Sequence, residues 1–319
     1  MRDLLGMAEV RHEAYDRAVA RLALGYALRA VHRAAEAAEG DILDGVIRVA
    51  IGDANIRHMS EDPKLAWSYA ALDRPVPDEL RRPVSINAIA TSLNLPFETT
   101  RRRVAGLVSR DICIQDARGV RIAAAAEATP GPTKIIVENL EDLRKLRQDL
   151  RAVAPTLALE PQTESGRAAP RPENDAPYRA AVRASISFML RFLEPVHALT
   201  GDLLNGIILL TIAHANALHV ADDPALAALY ASSETPIPDE QLKAIPVQAL
   251  ARILNLSFET TRRRVRALEG AHMVARRAEG VFVPAPVGAS SAMRLVRSST
   301  AGHLQRLYTG LWRLGVRFD

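Results

Sequence analysis

The sequence predicts a mainly α protein built as two duplicated winged helix-turn-helix domains, each flanked by long helices and carrying a short β-hairpin wing. Three observations predict it. The 319-residue chain repeats itself internally. Each copy reads helix, tight turn, helix, β-hairpin. Aromatic residues make up only 4% of the chain, so the core must come from Ala, Leu, Val and Ile, set mostly on helices.

The repeat is ungapped. Gly40 to Ile122 align with Gly201 to Val283 at one constant offset, with about two-fifths of positions identical. The densest match sets Leu93-Asn94-Leu95-Pro96-Phe97-Glu98-Thr99-Thr100-Arg101-Arg102-Arg103-Val104 against Leu254-Asn255-Leu256-Ser257-Phe258-Glu259-Thr260-Thr261-Arg262-Arg263-Arg264-Val265. Long helical segments flank each copy. They lie near Glu13 to Glu39 and Thr133 to Arg151, and near Ala176 to Leu199 and Ser291 to Leu314. Between the halves, 152–177 is rich in Pro with Gly166 and Ser165, and reads as a linker. The expected domains are therefore 1–151 and 178–319.

Within a copy, Asp41 and Asp202 are placed to cap a helix running to about His58 and His219. Asp62-Pro63 and Asp223-Pro224 start a short helix, with Asp as cap and Pro in the first turn. After a Pro-rich turn, Ile86, Ile89, Ala90 and Leu93 share one helix face. Asn94 and Asn255 stand where the chain turns, a place suited to left-handed backbone that Asn tolerates. Ala90 and Ala251 are small enough for two helices to approach closely, and Leu95 and Leu256 fill the corner. Phe97, Thr100, Val104, Leu107 and Val108 form the buried face of the next helix. Ile112 to Gln115 and Val120 to Ala123 then alternate around Asp116-Ala117-Arg118-Gly119, as hairpin strands do.

Helical spacing puts Glu98, Thr99 and Arg102 on the outer face, and Glu259, Thr260 and Arg263 in the second copy. An Arg on such a face can fork onto guanine O6 and N7, with a Glu one turn earlier orienting it or accepting from cytosine. Arg103, Arg110 and Arg264 flank that face and are expected to meet phosphates. Arg266 adds a cation in the second copy, where the first has Ala105. Arg118 marks the first wing tip. Glu279 replaces it in the second, with Arg276 and Arg277 earlier.

The stretch Ile89 to Leu107 resembles the helix-turn-helix of the cyclic-AMP receptor protein superfamily of bacterial regulators. The matching residues are Ala90, Leu93, Leu95, Glu98-Thr99 and Arg102. The resemblance implies base contacts by Glu98 with Arg102 and by Glu259 with Arg263. That superfamily often has a polar or basic residue just before the Glu; Phe97 and Phe258 stand there and read as buried. The cyclic-nucleotide β-roll is absent, because the preceding segments read as helices. The resemblance covers Val84 to Ile122 and Ile245 to Val283 and implies DNA recognition. The layout is also similar, in architecture only, to multiple-antibiotic-resistance regulators, whose terminal helices pair two subunits.

Other chemistry is poorly supported. No phosphate-binding glycine loop and no Ser or Cys nucleophile motif appears, and an enzyme is not expected. The single cysteine, Cys113, allows no internal disulfide and reads as a small apolar strand residue. No cofactor or metal is expected. Asn55 and His58 recur as Asn216 and His219. They read either as polar groups satisfying a helix end or as a small-ligand or proton-sensing site. Leu140, Leu143, Leu146 and Leu150, and Leu304, Leu307, Leu311 and Trp312, form apolar stripes that need a partner. Met1 to Val10 has no signal-peptide layout. The longest apolar stretch, Leu203 to Ala213, is short of the roughly 20 residues that span a bilayer. The expectation is a cytoplasmic bacterial transcriptional regulator, with duplex DNA as partner on a pseudo-palindromic site. A homodimer through the terminal helices is a further expected partner. A plasmid or phage-type replication initiator and a winged-helix protein-interaction scaffold remain the alternatives.

Overall fold

The computed structural model describes residues 14–159, 177–316 and Phe318. Most of the expected linker, and the segment Met1 to Val10, lie outside the described residues. Among those described are fourteen α-helices and two two-stranded antiparallel hairpins, a mainly helical fold. The first copy comprises α1 (Asp16–Ala37), α2 (Ile42–Ile56), α3 (Pro63–Ser68), α4 (Ile86–Ser92), α5 (Phe97–Ser109), β1 (Cys113–Asp116), β2 (Gly119–Ile122), α6 (Ala124–Glu127) and α7 (Pro130–Val153). The second repeats that order: α8 (Tyr178–Thr200), α9 (Leu203–Asp222), α10 (Pro224–Leu229), α11 (Val247–Ile253), α12 (Phe258–Gly270), β3 (Ala275–Arg277), β4 (Gly280–Phe282), α13 (Ala285–Gly288) and α14 (Ser291–Arg313).

Helix starts follow the side-chain chemistry. Free first-turn amides need acceptors. Asp41 accepts from the amides of Leu43 and Asp44 at 2.9 and 3.1 Å, and Asp202 accepts from Asn205 at 2.9 Å. Asp62 and Asp223 cap α3 and α10 in the same way, each followed by Pro. The short helices α6 and α13, directly after each hairpin, have no counterpart in the sequence reading.

The compact units do not follow the boundary expected at 152–177. One unit, around the first copy, is built from Arg29–Lys145, the described part of 158–191, and the C-terminal residues from Gln305. The other, around the second copy, is built from the described residues up to Leu28, Leu146–Leu157 and Phe192–Leu304. Each of the four flanking helices, α1, α7, α8 and α14, thus contributes a part to each unit. In the first-copy unit, the start of α8 docks after α3. The Arg179 amide donates to the Ala70 carbonyl at 2.9 Å, and Arg183 donates to the Tyr69 and Ala66 carbonyls. In the second-copy unit, the start of α1 does the same. The Ala18 amide donates to Ala231 at 2.9 Å, and Arg21 donates to the Tyr230 and Ala227 carbonyls. A Pro-rich linker marks where the chain is loosely joined. It carries no information about which copy a neighbouring helix packs against, and this is why the expected division fails.

Each unit is organised on its central apolar helix. In the first-copy unit α2 buries Ile42, Val46, Ile47 and Ile51, and α1 passes so close that a Cβ on Gly45 would lie 2.4 Å from the Ala35 nitrogen. In the second-copy unit α9 buries Ile207, Ile208 and Leu209, and a Cβ on Gly206 would meet Val196 at 2.6 Å. Helix α9 extends well past Ala213, to 20 residues, and is long and apolar enough to cross a membrane by length and composition. Most of it is buried in the core of its unit. The leucine stripes are buried as well, including Leu143, Leu150, Leu304 and Leu311.

Cys113 is 3% exposed, in β1 opposite Ile122. Burial pushes its thiol up to about 11, so it stays protonated. A neutral thiol is a poor nucleophile. Native protein at pH 7.5 is therefore expected to react with a disulfide reagent only as fast as it unfolds, and denatured chain at once. Equal rates in both states would contradict this placement.

Candidate nucleic-acid interface

Helices α4 and α5 are joined by a turn whose geometry the residues enforce. Asn94 takes φ 47° and Asn255 φ 49°, backbone that Asn tolerates better than most residues. The Leu95 amide then closes onto the Ala90 carbonyl at 2.9 Å, and Leu256 onto Ala251 at 3.0 Å. Ala90 and Ala251 are buried. Helix α5 buries Thr100, Val104 and Leu107, and α12 buries Thr261, Val265 and Leu268. Each hairpin follows directly, with Cys113 to Asp116 paired to Ile122 to Gly119, and Ala275 to Arg277 paired to Phe282 to Gly280. A single bridge, Val84 to Val120 or Ile245 to Val281, adds the segment before α4 or α11. At that bridge a Cβ on Gly119 or Gly280 would strike the Val84 or Ile245 carbonyl oxygen, at 2.6 and 2.2 Å.

The Arg triplet divides into three different roles. Arg101 forks onto Glu98 at 2.8 and 2.7 Å, and Arg262 onto Glu259 at 2.9 and 2.7 Å. These bonds hold the Glu98 and Glu259 carboxyls below the usual carboxylate range. Arg103 turns back toward the start of α2 and donates to Asp41 at 2.6 Å and Asp44 at 2.9 Å. Arg264 bonds Asp202 at 2.7 Å and Asn205 at 3.1 Å. Burial pulls the Arg103 guanidinium down, but Asp41 and Asp44 outweigh it and its pKa ends raised. Arg102 and Arg263, the middle residues, are exposed and make no hydrogen bond or ion pair among the described residues. Arg266 is exposed and equally uncommitted, and Thr99 and Thr260 are partly exposed beside them.

Several expectations change here. Glu98 and Glu259 orient Arg101 and Arg262, not Arg102 and Arg263, because the i,i+3 partner on this face lies within reach of both carboxylate oxygens. Arg103 and Arg264 tie their helices to the starts of α2 and α9, and Arg110 bonds Asp44 at 3.1 Å. All three guanidiniums expected at phosphates are thus bonded within the chain. Phe97 and Phe258, read as buried, are 50% and 52% exposed. They are the first residues of their helices, and the wheel that placed them among apolar residues ignored that the core does not extend to that end.

The wings differ, as the sequence suggests. Arg118 stands 75% exposed at the first tip, bonded to Asp116, which also accepts from Arg121 at 2.6 Å. The Arg121 bond, chiefly, holds the Asp116 carboxyl down to about 2. In the second wing Arg276 forks onto Glu269, while Arg277 donates to the Leu242 and Asp239 carbonyls and stacks on Phe282 at 3.9 Å. Exposed Glu279 takes the tip.

Asn55 and Asn216 do something the helix-end reading missed. Asn55 is fully buried, donates to the Arg82 and Val120 carbonyls at 2.8 and 3.1 Å, and accepts from the Ile122 amide at 2.9 Å. Asn216 repeats this with Lys243, Val281 and Val283. The amide pins the second hairpin strand to the central helix. Its recurrence in both copies was visible in the sequence; its partners lie too far along the chain to be read there. Among the described residues no group of His, Cys, Asp and Glu could hold a metal ion.

The chain matches no protein-family model, and no curated protein or solved structure matches it.

Proposed function

We propose that the chain is a sequence-specific DNA-binding transcriptional regulator. In this reading its two helix–turn–helix–hairpin segments are winged helix-turn-helix units that present α5 and α12 to the major groove. One observation carries this. In each copy the outer two arginines of the triplet are bound to the protein's own carboxylates, while the middle one, Arg102 or Arg263, projects uncommitted into solvent. A free guanidinium on a rigid helix face is the group that forks onto guanine. Arg266 adds an exposed cation on α12, and Arg118, bonded to Asp116, stands exposed at the first wing tip. The faces are alike and not identical, which fits two related half-sites.

The exposed Phe97 and Phe258 complete the reading. A phenyl ring at the first position of a recognition helix can press on a thymine 5-methyl. Replacing thymine by uracil at that step is expected to weaken wild type by about 0.8 kcal/mol, the worth of one buried methylene-sized group, or roughly four-fold. Phe97→Ala/Phe258→Ala should no longer distinguish the two bases. Equal discrimination by the variant would remove the phenyl rings from the contact.

A protein-binding reading has one observation in its favour. Ile253, 47% exposed, joins Phe258 as exposed apolar surface in the second copy, where the first has Ser92. Selection from a random duplex library with the purified chain tests the proposal. Enrichment of a common sequence, bound in a steeply salt-dependent manner, supports regulation. No enrichment favours the protein partner.

A further inference from the structure

The two copies differ in charge behind the hairpin, and the second-copy unit holds an apolar cavity there. In the first-copy unit an ionic cluster lies at the equivalent place. Glu127, at the end of α6, accepts from Arg81 at 2.7 Å and faces Arg179 at 3.6 Å. Burial pushes its carboxyl up, but Arg81, then Arg48 and Arg179, hold it below the ordinary range.

In the second-copy unit that cluster has been dismantled. By the repeat offset Glu127 becomes Gly288, Arg81 becomes Leu242 and Arg48 becomes Leu209. Yet the arginines of the docking helix persist. Arg21 does here what Arg183 does in the other unit, on equivalent carbonyls. Arg17, one turn before, corresponds to Arg179; its Nε donates to Ser232, and its Nη2 is buried with no partner. Arg297 is a further buried guanidinium nearby, donating to the Ser233 hydroxyl at 2.9 Å and the Gly288 carbonyl at 2.6 Å; burial, followed by repulsion from Arg17, lowers its pKa. Among the described residues, Asp16 is the carboxylate beside these arginines, 4.0 Å from Arg297 and bonded to Ser233.

Between these arginines and Leu210, Phe192 and Met293 lies a cavity of about 130 Å³, and Gly288 is on its wall. A Cβ at Gly288 would touch nothing within 4 Å. The copy that lacks this internal carboxylate thus has, on the wall of an apolar hollow, an arginine with one buried nitrogen left unpartnered. Buried cationic groups without a counter-charge are costly, and the other copy shows which group satisfies them.

We propose that this cavity is a ligand site for a small organic carboxylate with an apolar body, its anion taking the place that Glu127 holds in the other copy. The apolar part lies against Leu210, Phe192 and Met293, and the carboxylate faces Arg17 and Arg297. The Asn216 bonds to Val281 and Val283 tie the same helix to the hairpin, so an occupant of this cavity also stabilises the wing.

Thermal melting and calorimetry of the full chain test this with benzoate, phenylacetate and hexanoate, each against its amide, and with acetate as the acid lacking an apolar body. The expected result is a saturable rise in Tm with at least one of the three acids, none with its amide and none with acetate. Gly288→Glu, which supplies the carboxylate from the chain, should raise Tm without ligand and abolish the response. The proposal is overturned if none of the acids shifts Tm, if acid and amide act alike, or if Gly288→Glu responds as wild type does.

Discussion

Arg102→Ala and Arg263→Ala combined are expected to abolish sequence selectivity while leaving the fold intact. Each lost guanine fork costs about 1–3 kcal/mol, so the pair weakens the selected duplex roughly 30-fold to 10⁴-fold. Stability should be unchanged, because neither side chain bonds another described residue. Random-sequence duplex should be bound only slightly less well, since the backbone interaction is spread over the whole face. Arg103→Ala is the informative contrast. Its guanidinium lies between Asp41 and Asp44, and its loss should lower stability and affect all duplexes alike. Titrations with selected and scrambled duplex, beside denaturant melts, separate the two. A double variant that keeps its selectivity would end the assignment of α5 and α12 as reading helices.

Asn55→Ala is expected to be the most destabilising single replacement among the polar residues of the first copy. It strands the Arg82 carbonyl and the Ile122 amide, and leaves the Val120 carbonyl with the Val84 amide as its partner. At about 1–3 kcal/mol for each of the two unsatisfied groups, partly relieved by local water, a loss of roughly 2–4 kcal/mol follows. Asn55→Asp keeps the shape but sets an acceptor against two carbonyls, and should be no better. Asn216→Ala repeats the effect in the other unit. If denaturant unfolding of Asn55→Ala and Asn55→Asp differs from wild type by under about 1 kcal/mol, the amide is a bystander.

Much of this fold could be read along the chain, because local rules fix it. Asp before Leu-rich runs started helices, Asn94 and Asn255 made the left-handed turn, and Gly119 and Gly280 permitted the hairpin. What escaped the sequence was set by distance. The exchange of α1 and α8 between the copies depends on carbonyls at Ala70 and Ala231, which no periodicity reports. Phe97 was misplaced because a helical wheel has no ends, whereas the core does. The bonds of Arg103 escaped the sequence for a related reason. A wheel gives the direction of Arg103 but not the carboxylates of Asp41 and Asp44, brought to it by another helix. The contrast between Glu127 and Gly288 was legible in the sequence, yet its meaning appeared only with the cavity.

The most direct measurement is the salt dependence of binding to a duplex selected by the chain itself, for wild type and for the Arg102→Ala/Arg263→Ala variant. For wild type the account predicts tight binding to the selected duplex, weaker binding to a scrambled one, and a log-linear fall of affinity with salt for both. For the variant it predicts that the gap between selected and scrambled duplex closes. Wild-type binding that is indifferent to sequence and salt, or a gap that survives in the variant, would contradict it.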